Sequence, residues 1–389
     1  MTSWDYSFVH KSKLFHGKLA LEQIPIELEQ KSARNPLLIT QGNTPRSTIK
    51  SVVKTFSRFL DKINIYDRAP SWAEEDSIRE IADIYHETGA DSILALGGHS
   101  VIETGKGANI LVCKHDANFR ELQGRDTLSG TMRPLYAIPT HVQSGAGVNM
   151  SLRINSGNES YFLSSPLLMP TGVVTDPRTM IASSKQETAK SIAASLFKAV
   201  EAATGPNRNP TGKAFAYTCL ALLRKELNDF LDNTNNKELQ ARVVNANVIS
   251  DMAISNTTRG LGFAISRDLI ARGNNSGDVA AGCMLPEIMK TRIKQQEYRD
   301  SMARLLLPLA GPENYASTPA VDRPEEAVKA VEGFVAGLQK AGEEEFSLQN
   351  LGIEASPEDI ARTVADDQQS LGDEAVTEQQ LVHILNSVH

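Results

Sequence analysis

Residues 93–106 read ILALGGHSVIETGK. An unbroken apolar run, Ile93 to Leu96, enters Gly97-Gly98, and a helix-forming stretch opens at Ser100. A short apolar run bounded by glycine suits a strand buried on both faces, and the change of period marks a strand passing directly into a helix. Glycines at such a turn let the backbone approach a ligand, and N–H groups converging at a helix start attract phosphate. The same residues also suit a plain structural turn.

The neighbouring sequence repeats the alternation. Residues 36–40 read as a short buried strand closed by Gln41-Gly42-Asn43. Residues 47–63 read as an amphipathic helix with Ile49, Val52, Val53, Phe56, Phe59 and Leu60 on one face, 63–66 as a strand, and 72–88 as a helix. Strands alternating with helices predict a parallel sheet. Downstream, 151–155 and 160–163 form a hairpin around Ser156-Gly157-Asn158, and 173–175 is a last short strand before the Asp176-Pro177 stop. Beyond it strand signals almost vanish. Residues 186–203, 213–231, 236–256, 286–307, 324–341, 357–365 and 377–388 read as helices. The expectation is an α/β domain over 1–178 and an all-helical domain over 179–389.

A chain of 389 residues can bury two cores. Its net charge of −7 predicts no broad basic surface, hence no nucleic-acid partner. Cys113, Cys219 and Cys283 are too few and too scattered for a disulfide framework or a thiolate metal site. The first residues lack the apolar core of a secretory signal, and no run is long enough to span a bilayer. The expectation is a cytoplasmic protein with no membrane partner, acting on a small molecule, with a homodimer as its assembly.

Residues 89–106, GADSILALGGHSVIETGK, resemble the GADxIIALGGGSVIDTAK signature of the iron-dependent (group III) alcohol dehydrogenases, whose fold is that of dehydroquinate synthase. IPTHVQSGAGVNM at 138–150, SSPLLMPTGVVTDPRTM at 164–180 and LFHGKLALEQIP at 14–25 are similar to further segments of that family, in the same order. The resemblance implies a nucleotide-binding α/β domain followed by a helical domain, with the active site in the cleft between them. It implies that Gly97, Gly98 and Ser100, with His99 in place of a third glycine, contact the cofactor diphosphate. Thr140, Ser144 and Gly145 would line the nicotinamide side, and Asp176 would be structural. Gln41 matches the family's NAD-type Asp. A neutral side chain there, with Arg46 close behind, favours NADP(H) over NAD(H).

In the family, one Asp and three His hold iron or zinc. The positions matching those ligands carry Ala194, Lys198, Ile265 and a residue within 276–278. From Val142 to Val382 there is no histidine at all, so no small shift of alignment supplies one. No bound metal is therefore expected. A metal would polarise a carbonyl oxygen. Lys198, pointing into the cleft, is the expected substitute, binding an oxyanion or an anionic substrate; filling the vacated space is the bland alternative. His141 is the second catalytic candidate, as a proton donor. Arg259 and Arg267 are anion-binding or surface residues. The reading is a metal-independent NAD(P)H-dependent oxidoreductase of a small aldehyde, ketone or keto acid; a non-redox enzyme or a non-catalytic binding protein on the same scaffold are the alternatives.

Overall fold

The computed structural model describes residues 6–388 apart from 58, 61, 143–146, 206–208, 234, 235, 258, 259, 273–275, 368–370, 372, 373 and 375. The chain forms two compact units. One comprises residues 9–183 with 235–248, the other residues 1–8, 184–234 and 249–389.

The α/β unit is built on six parallel strands: β1 (Lys13–His16), β2 (Pro36–Ile39), β3 (Asn64–Tyr66), β4 (Ser92–Gly97), β6 (Leu135–Pro139) and β9 (Gly172–Thr175). Their order is β1-β9-β6-β4-β2-β3. β2, β4, β6 and β9 are buried at every residue, which explains their continuous apolar sequence. The helices are α1 (Gln23–Gln30), α2 (Arg46–Phe56), α3 (Glu75–Glu87) and α4 (His99–Cys113). From β2 the chain moves outward to β3, then returns to place β4 on the other side of β2. That reversal creates a switch point at the carboxyl ends of β2 and β4, where open α/β sheets bind ligands.

A second sheet of β5 (Gly124–Arg125), β7 (Ser151–Ser156) and β8 (Glu159–Ser164) includes the expected hairpin. Gly157 takes φ +57° in its two-residue turn, as such turns require. Two helices are shorter than their periodicity predicts. α2 stops at Phe56, where the Ser57 hydroxyl donates back to Lys54 O and the Phe56 carbonyl accepts from Phe59 and Leu60. α3 begins only at Glu75, because Ala73 O accepts from Asn155 N and Glu74 bridges Asn155, which keeps the chain extended there.

The helical unit contains α5 (Lys185–Thr204), α6 (Pro210–Asp232), α8 (Leu261–Ala271), α9 (Gly277–Ile293), α10 (Gln296–Ala310), α11 (Pro312–Ser317), α12 (Arg323–Gly342), α13 (Pro357–Asp366) and α14 (Glu378–Asn386). α7 (Lys237–Ile254) is shared between the units at Val248. A capping box starts α5: Ser184 Oγ accepts from Glu187 N, and Glu187 accepts from Ser184 N. α5 packs against α6, α9 and α12. Pro286 does not open a helix, as the sequence suggested, but lies inside α9, and the expected single helix 286–307 is two. α9 packs closely on α5 in the same stretch: a Cβ on Gly282 would meet Ala193 O at 2.5 Å.

Candidate active site

β4 delivers Gly97 to the carboxyl edge of the sheet, and Gly98 caps α4 in an extended conformation. The two glycines serve different needs. A Cβ on Gly97 would lie 2.5 Å from Val101 Cγ2, inside the first turn of its own helix. Among the described residues, a Cβ on Gly98 would meet only His141 Nδ1, at 3.8 Å, an ordinary van der Waals distance. Gly98 leaves room for a ligand; Gly97 leaves room for the helix.

His99 is the first residue of α4 and its side chain is half exposed; its Nε2 lies 3.3 Å from Glu103 Oε2. Glu103 is buried and also accepts from Arg153 N. Burial raises the Glu103 pKa, but His99, Lys106 and that amide outweigh it and hold the carboxyl below its ordinary value. Lys106, fully buried one turn on, donates to Asn149 and ties α4 to the segment before the hairpin.

Across the switch point, Gln41 Nε2 donates to Pro70 O at 3.2 Å and to Ser100 Oγ at 3.4 Å. Thr140 follows β6, is fully buried, and its Oγ1 lies 2.8 Å from His141 Nδ1. Thr140 N donates to Gly97 O. Gln41, Gly97, Gly98, His99, Ser100, Thr140 and His141 therefore gather at one edge of the sheet. Ser144 and Gly145 lie outside the described residues. Arg46 is exposed at the head of α2.

Asp176 is fully buried and accepts from Leu21 N and from Arg178 N, Nε and NH2. Burial pushes its pKa up, but Arg178 and the two amides outweigh this and hold it low. Arg178 also grips Glu22, so this trio ties the end of β9 to the segment before α1.

In the helical unit, Lys198 is an ion-paired residue rather than a lone cation. Its Nζ lies 2.8 Å from Asp251 Oδ1 of α7 and 3.3 Å from Asp278 Oδ2 in the first turn of α9. Ser266 Oγ of α8 donates to Asp278 Oδ1 at 2.5 Å. The Lys198 side chain is only 13% exposed. Burial works against the ammonium, but the two carboxylates outweigh it and hold its pKa above the ordinary lysine value. Sequence reasoning missed Asp251 entirely. Asp278 had a signal: it lies within the segment matched to the fourth metal ligand, and a cation at the second ligand position needs an anion nearby.

Iron or zinc needs donor lone pairs. A charged ammonium at Lys198, a methyl at Ala194 and a fully buried aliphatic chain at Ile265 supply none. These side chains do not fit such an ion. Among the described residues, no group of three His, Cys, Asp or Glu side chains is disposed to hold a metal.

The glycines beside Ile265 have another purpose. Arg292, fully buried, donates to Glu201 and Glu374, and Glu201 and Glu374 accept from Phe263 N and Leu261 N at the start of α8. Gly260 has φ +140°, and a Cβ there would meet Glu201 Oε1 at 2.3 Å. Two carboxylates, one guanidinium and a helix N-terminus thus share a dry site. Arg259 lies outside the described residues. Arg267 is half exposed and faces Asp367 at 4.0 Å, on the surface.

A parallel α/β unit with a glycine turn at its switch point, followed by an all-helical unit, defines the two-part fold class to which the chain belongs. The chain belongs to the iron-containing alcohol dehydrogenase family: residues 11–177 match the model of iron-containing alcohol dehydrogenase, and 188–389 match the C-terminal model of the Fe-containing alcohol dehydrogenase family. A 1,3-propanediol dehydrogenase of Klebsiella pneumoniae is 22% identical, over 82% of this chain and 82% of that protein. An NAD-dependent methanol dehydrogenase of Bacillus methanolicus is 21% identical, over 65% and 67%. A crystal structure of 1,3-propanediol oxidoreductase superposes with a TM-score of 0.85 at 18% identity, covering 99% of this chain and all of that one. Among the described residues, no helix is long and apolar enough to cross a membrane.

Proposed function

We propose that this protein is an NAD(P)H-dependent oxidoreductase that interconverts a small carbonyl compound and its alcohol without a divalent metal. The observation that carries the reading is the Gly97-Gly98-His99-Ser100 turn at the switch point, where a Cβ on Gly98 would crowd none of the described residues. Family membership supports the redox assignment.

The residues present fit a dinucleotide. Gly98 admits the diphosphate to the head of α4, and the exposed imidazole of His99 stands beside it. Gln41 places no carboxylate at the adenosine ribose, and Arg46 is exposed nearby, so NADP(H) is preferred to NAD(H). The NAD-dependence of the Bacillus methanolicus relative makes this a point of divergence. When bound, the nicotinamide supplies or accepts the hydride. The chain's own contributions are two. Lys198 offers a fixed positive charge with N–H donors to an oxyanion. His141, oriented by Thr140, offers an imidazole as the proton donor.

The setting of Lys198 bears on the substrate. The Lys198 ammonium is already engaged by two carboxylates, Asp251 and Asp278. Such a cluster favours a neutral aldehyde or ketone over the anionic substrate that an unaccompanied lysine would select.

The test is a fluorescence titration of purified protein with NADPH and NADH, repeated on Gly98→Asp. NADPH should bind more tightly than NADH, and the added carboxylate should abolish both. If neither nucleotide binds the wild type, or if Gly98→Asp binds like wild type, the proposal fails.

A further inference from the structure

We infer that Arg153, held between Trp72 and Phe162 on the outer face of the second sheet, is a binding site for the carboxylate of a small organic acid. The inference goes beyond the proposed function and is independent of the nucleotide.

Strand pairing builds the cluster. Arg153 on β7 stands directly opposite Phe162 on β8. Side chains alternate between faces along a strand, so Leu152, Ile154, Tyr161 and Leu163 are buried on one face while Arg153 and Phe162 share the other. The Trp72 ring comes from the segment before α3, which is fixed to the hairpin where Asn155 N donates to Ala73 O. The guanidinium carbon lies 5.4 Å from the centre of the Phe162 ring and 6.0 Å from that of Trp72. Trp72 is 40% exposed and Phe162 42%, so both aromatic rings also face outward.

The cluster has a cation and no anion. A guanidinium is always charged and carries five N–H donors. Nη2 donates to Ser160 Oγ at 3.3 Å, and that hydroxyl donates on to Asn155 Oδ1. Nε and Nη1 are screened from water without an acceptor, and among the described residues no carboxylate pairs with the charge. Other guanidinium groups of this chain are matched: Arg292 by Glu201 and Glu374, Arg178 by Asp176 and Glu22. The two ring faces attract the cation but leave its N–H groups unbonded.

That deficit defines the ligand. The planar fork of a guanidinium matches a carboxylate through two parallel hydrogen bonds. One positive charge balances one carboxylate, whereas a phosphate ester carries nearly two negative charges. The exposed rings offer apolar surface to the body of the acid, and a flat body stacks on them best.

The experiment uses the whole chain with benzoate as the probe, read by calorimetry and by the emission of Trp72, one of two tryptophans. The wild type should bind about one benzoate per chain, with a dissociation constant on the order of 1 mM. Benzamide has the same shape without the charge and should bind about tenfold more weakly or worse, as should Arg153→Met with benzoate, for loss of a charged hydrogen-bonded contact. Arg153→Lys keeps the charge but not the fork and should fall between. Trp72→Phe should keep the calorimetric binding and lose the emission change. Arg153→Gln replaces the methionine variant if that chain does not fold. No saturable benzoate binding by the wild type overturns the inference. So does a folded Arg153→Met or Arg153→Gln that binds benzoate like wild type, and so does inorganic phosphate binding more tightly than benzoate.

Discussion

Arg178 shows how one side chain fixes the electrostatics of a strand end. It satisfies Asp176, which is fully buried, and reaches Glu22 at the same time. Asp176 and Glu22 both have lowered pKa values; for Asp176 the burial that opposes ionisation is overcome by Arg178, and for Glu22 the Arg178 hydrogen bond dominates. A carboxyl whose folded pKa is depressed stabilises the fold above its unfolded pKa, about 4. That stabilisation is lost as pH falls through the folded value. Arg178→Met should therefore lower the melting temperature most at pH 6–7, and the gap to wild type should narrow below pH 4. A gap constant from pH 7 to pH 3 would show that the arginine acts through packing alone. Asp176 was legible as structural from the Asp-Pro stop and the family resemblance. Its partners were not, because Leu21 and Glu22 lie more than 150 residues away in the chain.

At the scale of elements, the strands and the glycine turn could be read from the sequence because each buried strand is a local apolar run with a local stop. Helix ends were less legible. α3 starts late through a contact with the hairpin, and α9 runs through Pro286 instead of starting there. The GLG segment at 260–262 is a sharper case. It lies just before Ile265, one of the positions matched to a metal ligand, yet its glycines are needed by the buried Glu201–Arg292–Glu374 network. A Cβ on Gly262 would lie 2.8 Å from Phe197 Cε2 and 3.0 Å from Glu201 Oε2. Gly262→Ala should cost about 1–3 kcal/mol, as overpacked interior sites do. Arg292→Met should cost more, roughly 3–5 kcal/mol, because it strands two buried carboxylates. Urea denaturation of both variants checks the order; a neutral Gly262→Ala would mean that α8 shifts freely along the network.

On the scale of the whole chain, the two units are interleaved in sequence. Residues 235–248 belong to the α/β unit, where Asn247 Nδ2 donates to Val142 O and Glu238 pairs with Lys18. Residues 6–8 belong to the helical unit, where Asn209 Nδ2 donates to Ser7 O and Phe8 stacks on Phe215 at 5.4 Å. Neither exchange leaves a mark in the sequence, since a helix that changes unit at Val248 keeps one helical pattern throughout. The consequence is specific. Residues 9–183 contain every strand of both sheets but lack the helical segment that closes the unit. Expressed alone, they should leave the loop around Val142 without its partner and expose apolar surface, giving a loosely packed or aggregating product. Joining residues 235–248 to their carboxyl end through a flexible linker should restore a cooperative melt and, if the nucleotide reading holds, NADPH binding. Hydrogen exchange on β4 and β6 provides the measurement. Protection in the 9–183 fragment equal to that in the whole protein would show that the strands need nothing from the second half of the chain.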